Sequence, residues 1–186
     1  ESSLICRIGA WILRQACEDA VKWPSSLRVA VNVSPVQFIE PSFIEIVTQV
    51  LAATGLDPGR LEIEITEGVF LQENGTTDSI FRKLKSLGVR LALDDFGTGY
   101  SSLSYLKTAP FDKIKIDQSF VRGATLEGSR SRAIITAIVA MANALDMETT
   151  AEGIETFDQL EMVREQGISH VQGYIYSKPV SQEEYL

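Results

Sequence analysis

The sequence predicts an α/β fold in which parallel strands form a (β/α) barrel, and three observations point there. Strand and helix patterns alternate along the 186 residues, and the strand-helix unit recurs six times. Each strand is apolar on one face and small or polar on the other, whereas central strands of a doubly wound sheet meet helices on both sides and are apolar on both. Finally, following the polar face of each strand to its C-terminal end gives Asn32, Glu64, Asp94, Lys115, Glu152 and Gln172. That is one polar group per strand, at the end where barrel enzymes place their chemistry.

The elements follow in order. Residues 4–21 are predicted helical, with Leu4, Ile5, Ile8, Ile12, Leu13, Ala16 and Ala20 as the apolar stripe, and Trp23-Pro24-Ser25-Ser26 breaks the helix. Residues 28–34 alternate as a strand, with Val29, Val31 and Val33 on one face. Ser42 is placed to cap a helix over 43–53 that ends at Thr54-Gly55. Residues 61–67 alternate Leu61, Ile63 and Ile65 against Glu62, Glu64 and Thr66, and a helix over 77–87 stops at Gly88. The next strand sets Val89, Leu91 and Leu93 against Arg90, Ala92 and Asp94. Residues 101–106 are predicted as a short helical turn and 113–117 as a strand, with Lys113 and Glu62 expected to be ion-paired within or below the barrel. The longest remaining helix covers 129–145. Strand 148–152, helix 156–166, strand 169–173 and a helix from Ser181 complete the chain. No low-complexity linker or charge block interrupts it, so one domain is expected.

Composition narrows the function classes. The formal charge of −8 argues against wrapping a long nucleic acid, but not against a small phosphorylated ligand reached through cations. No apolar run approaches the ~18 residues of a membrane span. Glu1-Ser2-Ser3 leads straight into an amphipathic helix, so no signal peptide is expected. Cys6 and Cys17 fall in one predicted helix, ~16 Å apart, beyond disulfide reach, as suits a cytoplasmic protein. The single histidine, His170, excludes a multi-histidine metal centre, so any metal is held by oxygen, which favours Mg²⁺ or Mn²⁺ over Zn²⁺.

The chemistry centres on Asp94-Asp95-Phe96-Gly97-Thr98-Gly99. Two adjacent carboxylates at a strand end repel one another, and a divalent cation is the best available counter-charge. Gly97 and Gly99 let the chain fold back over whatever the carboxylates hold. A solvated Asp-Asp turn is the plain alternative for an isolated pair. Here Glu64, Glu152 and Lys115 arrive at the same end, an arrangement costly to bury without cations and a ligand.

These motifs together resemble a known family. Asn32-Val33-Ser34, Glu64-Ile65-Thr66-Glu67, Asp94 to Leu103, Lys115-Ile116-Asp117-Gln118-Ser119-Phe120-Val121, Ala151-Glu152-Gly153-Ile154-Glu155-Thr156 and Gln172-Gly173-Tyr174 resemble, in order, the motifs of EAL-domain phosphodiesterases. The resemblance implies a modified (β/α)8 TIM-like barrel that hydrolyses cyclic di-GMP to linear pGpG in bacterial signalling with two Mg²⁺ or Mn²⁺ ions. It implies that Asn32, Glu64, Asp94, Asp95 and Glu152 serve the metals, Asp94 bridging them. Lys115, Glu152 and Asp95 would be catalytic, with Lys115 near the attacking water and the scissile phosphate. Gln172, Asn32 and Asp117 would contact substrate, and Glu67, Thr98 and Glu155 would brace the loop after Gly97. From the residues alone, Glu67 and Glu155 suit helix-start carboxylates and Asp117 suits an N-cap almost as well. The resemblance also implies a homodimer, fusion to sensory or GGDEF-type domains, a cytoplasmic location and no membrane contact by this domain. The family's Glu-Ala-Leu motif is not among these residues. The chain is therefore expected to supply six of the eight strands, as residues 1–186 of an EAL domain without the strands that carry that motif. The alternative is a catalytically silent EAL module that binds cyclic di-GMP or a protein partner.

Overall fold

Among the described residues six strands lie in sequence order, β1 (Val29–Asn32), β2 (Leu61–Thr66), β3 (Arg90–Phe96), β4 (Lys113–Ile116), β5 (Glu148–Ala151) and β6 (His170–Val171). The pairs β1–β2, β4–β5 and β5–β6 are parallel, as a chain of strand-helix units requires. This computed structural model describes residues 2–71, 76–99, 106, 108–125 and 128–185. The expected helical turn over 101–106 lies outside them except for Leu106. The chain divides into two compact units, Glu1–Leu93 with Ser102–Phe111, and Asp94–Ser101 with Asp112–Leu186, and β3 passes from the first to the second at Leu93.

In the first unit, α1 (Ser2–Ala20) precedes β1, and α2 (Pro35–Phe38) and α3 (Phe43–Thr54) follow it. A 3-10 turn (Pro58–Arg60) leads into β2, a second (Glu67–Leu71) leaves it, and α4 (Thr76–Leu87) precedes β3. The buried face of α1 is Gly9, Leu13, Cys17 and Ala20, which keeps Leu13 and Ala20 of the expected stripe but not its N-terminal members. Leu4, Ile5, Ile8 and Ile12 are at least 40% exposed. The reason is a close approach: a Cβ on Gly9 would stand 2.2 Å from the side chain of the buried Gln37, so the helix seats through its small residue.

Ser42 sits at the start of α3 but makes no side-chain cap. The helix does end as expected, at Gly55 with φ 71°. The aromatic core joins Phe38 to Phe81 (centroids 4.9 Å), Phe81 to Phe111 (5.2 Å) and Phe70 to Phe111 (6.0 Å). Arg60 ties the unit's backbone together. Its Nε donates to Leu27 O at 2.7 Å, and its Nη2 donates to Ala20 O (2.7 Å) and Pro24 O (3.2 Å), satisfying the last carbonyl of α1 and two in the loop that follows. Glu62 is ion-paired, its Oε2 lying 3.4 Å from Arg90 Nε.

In the second unit, α5 (Gln118–Ala124) and α6 (Arg130–Ala144) connect β4 to β5, α7 (Phe157–Glu165) connects β5 to β6, and α8 (Gln182–Tyr185) comes last. α7 opens with a full capping box, Thr156 accepting from the Gln159 backbone while the Gln159 side chain reaches back. β6 is shorter than the expected 169–173, so Gln172 lies just past the strand. The backbone still holds it in line: Gln172 N donates to Ala151 O at 2.9 Å, and Ile154 N donates to Gln172 O at 3.0 Å. Glu152 is fixed likewise, its N–H donating to Ile116 O at 3.1 Å. Strand ends in this unit therefore deliver side chains at defined heights, with Lys115 opposite Thr150 and Ile116 opposite Ala151.

Candidate active site

Asp94, near the end of β3, is buried, and the next residue turns the chain. Asp95 has φ 53°, a left-handed value uncommon outside glycine, and its N–H donates to Asp94 Oδ1 at 3.1 Å. Thr98 secures that turn, donating to Asp95 O from its hydroxyl at 2.8 Å and from its N–H at 3.2 Å. Gly97 has φ 95°, and a Cβ there would lie 2.8 Å from the Phe120 ring, so only glycine suits the position.

One carboxylate oxygen from each of Asp94, Asp95 and Glu152 falls within 4.8 Å of the other two. Lys115, 4% exposed on β4, places Nζ 3.0 Å from Asp94 Oδ1 and 2.8 Å from Glu152 Oε1. One ammonium among three carboxylates leaves this cluster net negative. An all-oxygen, net-negative donor set of this kind suits a hard divalent cation rather than a soft one. Asp94, Asp95 and Glu152 are therefore able to hold a metal ion.

Beside the cluster opens a cavity of about 830 Å³. Asp95, Glu152, Asp117, Glu155 and Gln172 all line it, so five of the side chains expected from the sequence meet on one cavity. Carboxylates outnumber Arg122 and Lys178 on its wall, so an anionic diester entering it needs added positive charge. Asp117 is also the N-cap of α5, accepting from Ser119 N at 2.9 Å, so its cap reading holds together with its place at the cavity. Glu155 precedes α7 and pairs with Arg122 Nη2 at 3.1 Å. Gly173, next to Gln172, passes so close to the backbone of Ile154 that a Cβ would lie 2.1 Å from its carbonyl oxygen.

The remaining expected residues belong to the first unit. Asn32 and Glu64 are register partners on β1 and β2, and Val33 N donates to Glu64 O at 2.9 Å. Asn32 is exposed and Glu64 buried, and Glu67 is buried in the 3-10 turn after β2. Sequence reading missed Arg122, Tyr174, Tyr176 and Lys178 at the cavity. Arg122 carried no signal in the sequence, because the seven-residue α5 is too short for a helical period to show.

Comparison with known proteins settles the lineage. The EAL domain family model matches residues 1–179. The chain belongs to the EAL domain family. It is 49% identical to y4lL of Sinorhizobium fredii over 97% of this chain and 22% of that protein, so it spans about a fifth of that relative's length. It is similar to a structure described as a PaMucR phosphodiesterase, c-di-GMP complex (TM-score 0.93, 35% identity, 99% of this chain and 76% of that one). It is also similar to Klebsiella pneumoniae BlrP1 in a manganese/cyclic di-GMP complex (TM-score 0.84, 29% identity, 96% of this chain and 45% of that one). The EAL fold class, α/β with sequentially ordered strands, is the one the alternation of the sequence predicts.

Proposed function

We propose that this EAL domain hydrolyses cyclic di-GMP to linear pGpG. The observation that carries the reading is the buried Lys115, bound at 3.0 and 2.8 Å by Asp94 and Glu152 beside Asp95, at a cavity of about 830 Å³. Support comes from family membership and from the PaMucR and BlrP1 structures, which contain cyclic di-GMP, the latter with manganese. Asp94, Asp95 and Glu152 would hold the Mg²⁺ or Mn²⁺ ions, two in the reading proposed here, with Asn32 and Glu64 proposed as further oxygen donors. Such ions supply Lewis-acid charge at the phosphate and a low-pKa water.

The chain's own residues do the rest. In the reaction a water oxygen bonds to phosphorus, the bond from phosphorus to the ribose 3′ oxygen breaks, and that oxygen leaves with a proton as a 3′ hydroxyl. Lys115 is positioned by its two carboxylates to offer an ammonium N–H where negative charge develops on the phosphoryl oxygens. Gln172 and Asp117 contact the substrate from the cavity wall. Thr98 holds the turn at Asp95, its hydroxyl donating to Asp95 O.

The same proposal places the domain in the cytoplasm, as a homodimer within a longer protein bearing sensory or GGDEF-type domains. Among the described residues no helix is long and apolar enough to cross a membrane. The test is chromatographic detection of pGpG from cyclic di-GMP by the full-length protein in Mn²⁺. Binding of cyclic di-GMP without any pGpG would instead establish the silent, sensor-type module.

A further inference from the structure

We propose that the Arg122–Glu155 pair reads the nucleobase of the substrate, accepting guanine by its Watson–Crick edge and rejecting adenine. The inference rests on the phosphodiesterase reading above and assigns the base to this wall of the cavity. Arg122 comes from α5 and Glu155 from the loop after β5, three residues beyond Glu152. Both line the cavity, and their side chains are 54% and 45% exposed, so both keep groups available to a ligand. Their mutual contact is a single one, Nη2 to Oε1 at 3.1 Å. It leaves further guanidinium donors and carboxylate lone pairs uncommitted by that contact. The backbone beneath Glu155 is held, its N–H donating to Gln159 Oε1 at 2.8 Å within the capping box of α7.

Two physical arguments fit the pair to a base rather than to a phosphate. The paired charges cancel, so a phosphate would gain the guanidinium only by competing with Glu155 and by approaching its carboxylate. A neutral heterocycle meets no such repulsion. The order of donors and acceptors then selects the heterocycle. Guanine presents O6 as an acceptor followed by the N1 and N2 donors, which complements a guanidinium N–H followed by carboxylate oxygens. Adenine presents the N6 donor followed by the N1 acceptor, which sets N–H against N–H and a lone pair against the carboxylate. Tyr174 and Tyr176, 57% and 66% exposed on the same cavity, supply aromatic faces of the kind on which bases stack.

The experiment measures kcat and KM of the full-length protein in Mn²⁺ for cyclic di-GMP, for cyclic di-IMP (which lacks the N2 amino groups) and for cyclic di-AMP. Wild type is expected to prefer cyclic di-GMP to cyclic di-IMP by about tenfold, and to cyclic di-AMP by more, chiefly through KM. Glu155→Ala should collapse the di-GMP to di-IMP preference to about unity, and Arg122→Lys, which keeps the charge and loses the planar fork, should raise KM for cyclic di-GMP about tenfold. The exchange Arg122→Glu with Glu155→Arg keeps an ion pair but reverses the donor order, so base reading predicts no rescue of KM, whereas a purely structural pair predicts recovery. Equal loss of cyclic di-GMP and cyclic di-IMP turnover in Glu155→Ala, or recovery in the exchanged protein, overturns the proposal. A wild type that hydrolyses none of the three overturns the phosphodiesterase reading itself, a separate result.

Discussion

Replacing Lys115 by methionine removes the ammonium from between two carboxylates while keeping a long unbranched stem. The structure sets the magnitude. Lys115 is 4% exposed, and its Nζ serves Asp94 at 3.0 Å and Glu152 at 2.8 Å. Removing one member of a buried ion pair costs about 3–5 kcal/mol, because the surviving charge stays buried without compensation. The Glu152 side chain is 18% exposed and the Asp94 side chain 12%, so water relieves part of that cost and the lower figure applies, about 3 kcal/mol. On a domain of this size that corresponds to a fall of roughly 6–12 °C in the unfolding midpoint. The deficit should be full in chelator and should shrink in Mn²⁺, because a cation on the same carboxylates replaces the lost charge. Turnover should fall about 10²–10³-fold, the usual effect of deleting one group that stabilises developing charge. Thermal unfolding of wild type and Lys115→Met in chelator and in Mn²⁺, paired with rates of pGpG formation, checks both parts. A variant within about 1 kcal/mol of wild type in chelator, or one retaining more than about a tenth of the rate, would show that the lysine neither holds the carboxylates together nor serves the reaction.

Three other outcomes follow from named contacts. Ca²⁺, larger and with more ligands than Mg²⁺, should support cyclic di-GMP binding without hydrolysis, and equal turnover with the two ions, measured by chromatography, would contradict the hard, small-cation site. Arg60→Ala should lower the unfolding free energy by about 2–4 kcal/mol in denaturant titration, since it strips charge-assisted partners from three carbonyls of the first unit. Burial, and secondarily the neighbouring Glu18, pushes the Cys17 thiol up to about 11 from its ordinary 9.0. Because the folded state holds that proton more tightly, its contribution to stability is complete below about pH 9 and is lost as pH rises toward 11. Alkylation at pH 8 should therefore spare Cys17, and prompt labelling of it in native protein would refute the burial argument.

Much of this architecture was legible because period-two alternation survives wherever one strand face is buried. Lys113 to Ile116 and Leu61 to Thr66 advertised both their strands and the polar groups at their ends. The cluster of Asp94, Asp95, Glu152 and Lys115 followed from that alternation, since register brings strand ends together without further information. Shorter elements were not legible. The seven-residue α5 is too brief for a helical period to stand out, and with it went Arg122. The N-terminal half of the α1 stripe was misjudged, while Leu13 and Ala20 were placed correctly, because hydrophobicity does not reveal which side a small residue such as Gly9 allows to approach a neighbour. Gln172 was placed inside a strand that ends one residue earlier, because hydrogen bonds to Ala151 and Ile154 continue its extended course beyond the ladder.

The most direct test of the central claim is conversion of cyclic di-GMP by the full-length protein and by its Asp94→Asn form, followed by chromatography in Mn²⁺. Asp94 is buried, lies in the carboxylate cluster and binds Lys115, so the substitution alters the site at its centre with almost no change in volume. The account predicts steady accumulation of pGpG with wild type and loss of at least about 10²-fold in rate with Asp94→Asn. Absence of pGpG with wild type, or a variant that keeps more than about a tenth of its rate, a barrier change of only ~1.4 kcal/mol, would contradict it.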